Sequence, residues 1–306
     1  MKQQKKQKRI FIAVTNDLVC DNRVHKVACT LLKSGAQITL IGRIRNDKTP
    51  LKQRAYKTKR FRLIFKRGAF FYFEYNFRLL LFLLFHRFNI IVANDLDTLP
   101  ACFIASRLKC KKLVYDSHEY YTEVPELVHR KFPKMVWMFI EKLFVPHIKL
   151  AYTVSGAIAD TYSQLYGINF SVIRNVPYCI DNISKNSSSE NNEKIILYQG
   201  SLNIGRGLEQ LIDAMEFIKD AKLKIIGDGD IKHQLIDRVN NKNLGHKVEI
   251  INRIPFDELI QETSKADLGI ALEENLGLNY YFALPNKLFD YIQAGVPVLV
   301  SPFPEM

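Results

Sequence analysis

Short apolar runs alternate with amphipathic stretches along the chain. The first run, Ile10 to Val14, is rich in β-branched residues and predicts a strand that stops at Thr15. The stretch from Asp21 to Lys33 carries apolar residues at helical spacing and predicts a helix that ends before Gly35. This unit of strand, polar loop and helix recurs in both halves. Strands that alternate with helices indicate parallel sheets covered by helices on both faces.

The same pattern predicts further strands in the first half at 37–41, 89–93, 112–115 and 151–154, and a helix at 99–108. In the second half it predicts strands at 194–198, 222–226, 247–251, 268–272 and 297–300, and helices at 208–217, 231–239, 256–264 and 286–293. The two series predict an α/β protein with two Rossmann-like, doubly wound domains.

A polar segment rich in Ser and Asn separates the two series. We predict an N-terminal domain over 1–178, a linker over 179–193 and a C-terminal domain over 194–306. The chain ends directly after a predicted strand, so we expect the C-terminal domain to be truncated. Two open sheets joined by one linker predict a ligand cleft at the carboxyl ends of their strands.

Composition and charge narrow the class of protein. A chain of 306 residues with 47% hydrophobic and 25% charged residues is typical of a two-domain globular protein and excludes disorder and a membrane bundle. The net charge of +13 is concentrated in residues 1–150, which hold 30 basic and 11 acidic side chains. We expect a polyanionic partner there: a phosphate-bearing acceptor or an anionic membrane surface. No nucleic-acid-binding motif accompanies the charge, so we expect no nucleic acid partner.

The cysteines and the N-terminus point to the cytoplasm. Five cysteines without a CxxC pair form neither a disulfide framework nor a zinc site. The basic start is followed by an apolar run too short for a secretory signal. We expect a cytoplasmic protein, associated peripherally with the inner face of the membrane.

A glycine-rich loop, YQGSLNIGRG, follows the first strand of the second half. Gly200, Gly205 and Gly207 permit close backbone approach, and the helix after them offers free N–H groups, a combination that binds phosphate. Arg206 adds a cation able to grip a diphosphate. The alternative is a tight turn before a helix, since the loop is neither a Walker loop nor GxGxxG.

The segment ALPNKLFDYIQ supplies a second group of candidates. Pro285 opens a helix whose first turns hold Asn286, Lys287 and Asp290. Lys287 is a candidate for contact with an anion and Asp290 for hydrogen bonds from ribose hydroxyls. The alternative is a surface salt bridge between these two residues, which are three apart. Gly227, in IIGDGD, either borders the same cleft or forms a turn.

Titratable residues follow two strands of the first half. Asp116, His118 and Glu119 come after LVY, where such a cluster positions a hydroxyl or exchanges a proton; the alternative is a structural histidine. Asp95 and Asp97 follow IIVAN and resemble a metal-binding pair of acids. Capping of the helix at Leu99 explains the pair adequately, so we expect no metal.

The segment 69–85, AFFYFEYNFRLLLFLLF, is apolar enough to suggest a membrane. It is shorter than a span and contains Glu74 and Arg78, so it does not cross a bilayer. Flanking basic residues are consistent with docking on anionic lipid. The favoured interpretation is a helix packed on both faces.

Taken together, these segments resemble glycosyltransferase family 4, retaining enzymes of the GT-B fold, and particularly its bacterial polysaccharide-biosynthesis members with YDSHE and PNKLFDY segments. TNDLVCDNRVHKVA, VSGAIADTY and IRNVP contribute to the resemblance. It implies transfer of a sugar from a nucleoside diphosphate sugar to a glycan or lipid-linked acceptor, with retention of configuration and no metal or other cofactor.

The resemblance also implies roles by motif position. Arg206 and Lys287 would neutralise the leaving diphosphate, and His118, with Glu119 beside it, would contact the donor sugar. These four are the predicted catalytic residues. The predicted donor-binding residues are Gly200, Gly205, Arg206, Gly227, Asn286, Lys287 and Asp290.

The chain departs from the family pattern at two places. Ser201 and Leu202 stand where members often carry a basic residue, and Phe282 and Asp290 replace the paired glutamates, with Glu273 and Glu274 as nearby candidates for contact with the sugar. Two alternatives stay open: a nucleotide-sugar epimerase of the same architecture and a non-catalytic module that binds anionic membranes.

Overall fold

Two parallel β-sheets organise the chain, one in each of two units, Met1–Arg174 and Asn175–Met306. The computed structural model describes residues 7–19, 21–45, 50–128, 130–177, 179 and 194–306. Apart from Cys179, the predicted linker over 179–193 lies outside the described residues.

Unit 1 contains a seven-stranded sheet in the order β3-β2-β1-β4-β5-β6-β7. Its strands are β1 (Arg9–Asp17), β2 (Gln37–Arg43), β3 (Lys57–Phe61), β4 (Ile90–Asn94), β5 (Lys112–Ser117), β6 (Ala151–Thr153) and β7 (Phe170–Val172). Its α-helices are α1 (Asn22–Lys33), α2 (Ala69–Phe85), α3 (Leu99–Leu108), α4 (Pro125–Val128), α5 (Lys131–Phe144) and α6 (Gly156–Tyr166), with single 3₁₀ turns at Tyr121–Glu123 and Val145–His147.

Strand β1 is an interior strand of the sheet in unit 1, and its apolar residues are covered on both faces. Ile10 aligns with Ile38 of β2 on one side and with Ile90 of β4 on the other. Ile10 and Ile12 pack in a core with Val24 of α1. Phe11, which points to the opposite face, has its ring centroid 5.9 Å from that of Phe82 in α2.

Unit 2 contains a five-stranded sheet in the order β10-β9-β8-β11-β12. Its strands are β8 (Lys194–Ser201), β9 (Ala221–Asp228), β10 (Val248–Ile251), β11 (Leu268–Ala271) and β12 (Val298–Val300). Its helices are α7 (Leu208–Ala214), α8 (Lys232–Asn241), α9 (Phe256–Thr263), α10 (Leu278–Tyr281) and α11 (Asn286–Gln293).

Helices cover both faces of the second sheet, as the alternation of β8 shows. Ile196 and Tyr198 pack in one core with residues of α7 and α8, whereas Leu197 packs in another with Tyr291 of α11. Successive side chains of a strand point to opposite faces, so each face has its own helical cover. The predicted doubly wound architecture is confirmed.

The exposure of one side of α2 contradicts one prediction. Phe71, Tyr75, Leu79 and Leu83, spaced by four, are buried, but Phe70, Phe73 and Phe77 on its other side are more than half exposed. The favoured interpretation of a helix packed on both faces is therefore wrong. No helix among the described residues is long and apolar enough to cross a bilayer.

Candidate functional site

Arg206 and Lys287 meet on a single carboxylate oxygen in unit 2. Arg206 Nη1 and Lys287 Nζ each lie 2.9 Å from Oε1 of Glu273. The side chain of Glu273 is fully buried, and those of Arg206 and Lys287 are 23% and 9% exposed. Two cations and one carboxylate leave a net positive charge in a poorly solvated place, which favours an incoming anion.

The sheet topology brings these three residues together. Arg206 lies in the loop after β8, Glu273 follows β11, and Lys287 is in the first turn of α11. Strands β8 and β11 are neighbours at the point where the strand order reverses direction, which is where open α/β sheets bind ligands. The backbone N–H of Glu274 donates to the Gly205 carbonyl at 2.9 Å and ties the two loops together.

Two tyrosine rings contact the two cations. The Arg206 guanidinium lies 4.5 Å from the ring centroid of Tyr280, and Lys287 Nζ lies 4.2 Å from that of Tyr198. Cation–π contacts of this kind stabilise a charge that burial has removed from water. Burial lowers the pKa of Lys287 to about 8; Glu273 opposes this shift and Arg206 reinforces it.

The glycine loop is shaped by close packing. Gly205 has φ 82°, and a Cβ there would lie 2.6 Å from Leu276 Cδ1; Gly207 has φ 66°, and its Cβ would lie 2.5 Å from the Leu272 carbonyl. A Cβ at Gly227 would overlap the Gly200 carbonyl. The loop is thus a tight turn, and that turn holds Arg206 against the end of β11. A phosphate-binding role for Gly200, Gly205 and Gly227 stays a prediction.

The other candidates of α11 differ in exposure. Asn286 is exposed at the first position of the helix. Asp290 is buried, and its Oδ2 accepts a hydrogen bond of 3.1 Å from Gln199 Nε2. Since Lys287 is buried and pairs with Glu273, the alternative of a surface salt bridge between Lys287 and Asp290 is wrong. Contact of Asp290 with ribose stays a prediction.

In unit 1, His118 is paired with Asp95. His118 Nδ1 lies 2.6 Å from Asp95 Oδ2, and the His118 backbone N–H donates to Oδ1 of the same carboxylate at 3.2 Å. Glu119 Oε1 lies 3.9 Å from His118 Nε2. Burial lowers the pKa of His118, but the charge of Asp95 and its hydrogen bond raise it to about 9. The pair favours an imidazolium at neutral pH.

Asp116, which sequence analysis grouped with His118, has other partners. Its two carboxylate oxygens lie 3.0 and 2.7 Å from Nη1 and Nη2 of Arg23, and Tyr152 donates a further hydrogen bond at 2.8 Å. Asp116 is fully buried, and burial raises its pKa to about 6 although Arg23 lowers it. Its carboxylate joins β5 to α1 and β6, while Asp95 is the partner of His118.

The interpretation of Asp95 and Asp97 as helix caps is wrong. The residue before α3 is Thr98, and no side chain caps that helix. Asp97 instead accepts a hydrogen bond of 2.5 Å from Thr15 Oγ1. Burial, and then the neighbouring Asp95, raise the pKa of Asp97 to about 7. Within the described ranges, no three His, Cys, Asp or Glu side chains are grouped to hold a metal ion.

Two family models match the chain in succession. The model described as Glycosyltransferase Family 4 matches residues 21–182, just over half of the chain, and the model described as Glycosyl transferases group 1 matches residues 180–306. The chain therefore belongs to glycosyltransferase family 4, and the family predicted from its motifs is confirmed.

Solved structures with a similar fold cover nearly the whole chain. Sucrose-phosphate synthase from Thermosynechococcus elongatus has a TM-score of 0.75 at 15% identity, covering 97% of this chain and 82% of that one. Anabaena HepE in complex with UDP-glucose has a TM-score of 0.69 at 17% identity, covering 98% and 82%. These likenesses, with the two sheets, confirm the predicted GT-B fold class.

A curated relative matches a shorter part of the chain. An uncharacterised glycosyltransferase of Methanocaldococcus jannaschii is 30% identical over 125 residues, which are 39% of this chain. The match spans 30% of the length of that relative.

Proposed function

We propose that this protein transfers a sugar from a nucleoside diphosphate sugar to a hydroxyl of a glycan or lipid-linked acceptor, with retention of anomeric configuration. Its family and the UDP-glucose complex of Anabaena HepE support a nucleotide-sugar donor. The observation that carries the proposal is the convergence of Arg206 and Lys287 on Glu273 at the end of β8 and β11.

The two cations suit the chemistry of the leaving group. When the bond between the sugar and the diphosphate breaks, negative charge grows on the diphosphate oxygens. Arg206 and Lys287 are already placed and stripped of most of their water, so they stabilise that charge without reorganisation. Glu273 holds both cations in place while leaving one positive charge unbalanced. It thus acts as a positioning residue rather than a sugar contact.

In unit 1, His118 is proposed to contact the donor sugar. Asp95 occupies Nδ1, so Nε2 is the ring nitrogen left to donate a hydrogen bond to a sugar hydroxyl. Glu119, 3.9 Å from Nε2, is proposed to lie at the same contact.

We also propose that the enzyme works in the cytoplasm, bound peripherally to the inner face of the membrane. The excess of basic residues in the first half supports this location, because the cytoplasmic leaflet carries anionic lipid. A lipid-linked acceptor would be presented at the same surface.

Calorimetric binding of UDP, followed by transfer of label from UDP-glucose to a membrane extract, tests the proposal. Arg206→Ala and Lys287→Met are each expected to lower turnover about 10²- to 10³-fold, the usual effect of removing one preorganised donor. Arg238→Ala, which removes a partly exposed arginine paired with Asp213, is the matched control. Wild-type turnover by the Arg206 and Lys287 variants would overturn the assignment, as would conversion of the donor sugar without an acceptor.

We propose further that the transfer needs no metal, and this part of the proposal has its own test. Since Arg206 and Lys287 are proposed to neutralise the diphosphate in place of a metal ion, we expect full turnover after dialysis against EDTA. Loss of turnover that Mg²⁺ restores would contradict this part of the proposal.

A further inference from the structure

An ordered apolar surface lies at the start of α2 in unit 1. Phe70, Phe73 and Phe77 follow helical spacing on its outer side and are 69%, 71% and 53% exposed. The loop before the helix adds Ile64 and Phe65, which are 75% and 46% exposed. We call these five residues the aromatic ridge. Large side chains rarely stay this exposed side by side on a monomeric protein unless the surface binds something.

The ridge is held in position by Glu74, which lies on a less exposed part of α2. Its carboxylate accepts the backbone N–H groups of Ile64 and Phe65 at 2.9 and 3.0 Å, and Arg78 pairs with it at 2.8 Å. These bonds to the carboxylate outweigh its burial and lower the pKa of Glu74. The loop is therefore fastened to the helix.

Ring contacts join four members of the ridge in two pairs. The rings of Phe65 and Phe70 have centroids 5.3 Å apart, and those of Phe73 and Phe77 stack at 6.3 Å. The opposite side of α2 is anchored in the core, where the Tyr75 hydroxyl donates to the Val14 carbonyl. The ridge thus stands on a helix whose opposite side is anchored in the core.

The surroundings of the ridge are basic. Lys66 and Arg67 are exposed and lie in the chain directly between Phe65 and Phe70. Between positions 57 and 87 the chain holds one acid, Glu74, and eight basic residues: Lys57, Lys59, Arg60, Arg62, Lys66, Arg67, Arg78 and Arg87. Of these, Arg60 pairs with Asp17 and Arg78 with Glu74. The surface therefore combines aromatic side chains with positive charge.

We infer that the aromatic ridge docks on an anionic lipid bilayer, with its rings among the headgroups and upper acyl chains and with Lys66 and Arg67 on lipid phosphates. An anionic bilayer offers both chemistries in one plane. A second copy of the chain would bring two sets of basic residues together, which disfavours self-association. The inference rests on the proposed membrane location. It names the protein surface and the lipid charge that produce membrane binding.

Co-sedimentation of the full chain with vesicles tests the inference. We expect binding to phosphatidylcholine vesicles that contain phosphatidylglycerol and much weaker binding to pure phosphatidylcholine. Phe70→Ser and Phe73→Ser should each lower the partition coefficient about tenfold, since a partly inserted ring loses part of its transfer free energy. Lys66→Gln and Arg67→Gln should each lower it about fivefold.

Matched controls lie in unit 2. Phe217, which is 83% exposed, and the exposed Lys219 provide Phe217→Ser and Lys219→Gln. Both controls should bind vesicles as the wild type does, and melting temperatures should show that all variants are folded. Equal binding by the ridge variants and the wild type, or indifference of the wild type to anionic lipid, would overturn the inference. It would also be overturned if the wild type is a dimer that Phe73→Ser dissociates.

UDP binding separates this inference from the proposed function. The ridge variants should bind UDP with unchanged affinity in the absence of vesicles. A wild type that binds vesicles through the ridge but binds none of UDP, GDP, ADP, CDP and dTDP would contradict the proposed sugar transfer without contradicting the docking surface.

Discussion

Asp95 holds His118 by two contacts, one to its backbone N–H and one to its imidazole. Asp95 itself has φ 59°, a left-handed conformation that aspartate tolerates better than most residues. The turn directs its carboxylate from the end of β4 toward the end of the neighbouring β5. The ring of His118 is thereby oriented and its charge stabilised.

Replacing Asp95 with Asn should change the titration of His118. The substitution Asp95→Asn keeps an acceptor for the backbone N–H and removes the charge. We expect the pKa of His118 to fall from about 9 to 6.5 or below, since burial is then no longer opposed by that charge. Imidazole ¹⁵N chemical shifts measured against pH report this value. An unchanged pKa in the variant would show that Asp95 is not what raises it.

The same pair makes a contribution to stability with a definite pH dependence. A raised pKa contributes stability that is complete below pH 6.5 and is lost as the pH rises through about 9. The difference in unfolding free energy between wild type and Asp95→Asn should therefore shrink over that range. For the control Asp160→Asn, an exposed substitution in α6, the difference in unfolding free energy from wild type should not change with pH. A difference that grows with pH would contradict the pairing.

Replacing Glu273 with Gln should destabilise unit 2. The change leaves Arg206 and Lys287 as adjacent buried cations, and breaking a buried pair of this kind costs about 3 to 5 kcal/mol. Denaturant unfolding measures the loss, and Glu274→Gln, one residue along the chain, should stay within about 0.5 kcal/mol of wild type.

UDP should partly rescue the Glu273→Gln variant. A bound diphosphate supplies the negative charge that the variant lacks, so saturating UDP should raise its unfolding free energy more than that of the wild type. A smaller stabilisation by UDP in the variant would show that the diphosphate does not sit on these cations.

Donor binding should be coupled to protonation of Lys287. Because the pKa of Lys287 is about 8, half of the free protein carries a neutral lysine at that pH, and a diphosphate would favour the charged form. Calorimetry of UDP binding at pH 8 in buffers of different ionisation enthalpy should show uptake of about half a proton. Lys287→Met should abolish the uptake, and Lys265→Met, an exposed lysine, should not.

The lowered pKa of Lys287 also has a consequence for stability without ligand. Between pH 8 and 10.5 the unfolded chain binds more protons at this position than the folded one, so stability rises with pH over that range. Lys287→Met should remove this rise.

Replacing Asp290 with Asn should separate ribose from diphosphate recognition. Asn keeps an acceptor for Gln199 Nε2, so the fold is retained. We expect weaker binding of UDP but unchanged binding of inorganic pyrophosphate, because the latter has no ribose. Equal losses for both ligands would remove Asp290 from the ribose contact. Competition titrations against a fluorescent UDP analogue provide both affinities.

Strand boundaries were predicted less well than strand positions. Strand β1 continues past Val14 to Asp17, which aligns with Arg43 of β2 and pairs with Arg60 of β3. The hydrogen bonds between strands join backbone groups whatever the side chain. A strand therefore continues through polar residues beyond the end of its apolar run. Strand β3, with the sequence KTKRF, was missed for the same reason; it is an edge strand, and lysines are typical of such edges.

The candidate site was predicted in part. The sequence singled out Arg206 and Lys287 because charged residues beside glycine and proline signals at strand and helix ends are visible in a local window. The structure places the two side chains on one carboxylate. The sequence analysis assigned other roles to Glu273 and Asp95, because their partners are distant in the chain. Glu273 pairs with Arg206, 67 positions away, and Asp95 pairs with His118, 23 positions away. No local pattern shows which loops will meet.

The order of apolar runs and helical stretches was enough to establish two doubly wound domains, because burial requires a period of two in strands and of 3.6 in helices. Strand order determines instead which charges share a carboxylate, which aspartate faces His118 and which side of α2 stays exposed. Pairing of distant strands places the ends of β8 and β11, and of β4 and β5, side by side. Those contacts depend on long-range packing, which a single sequence does not display.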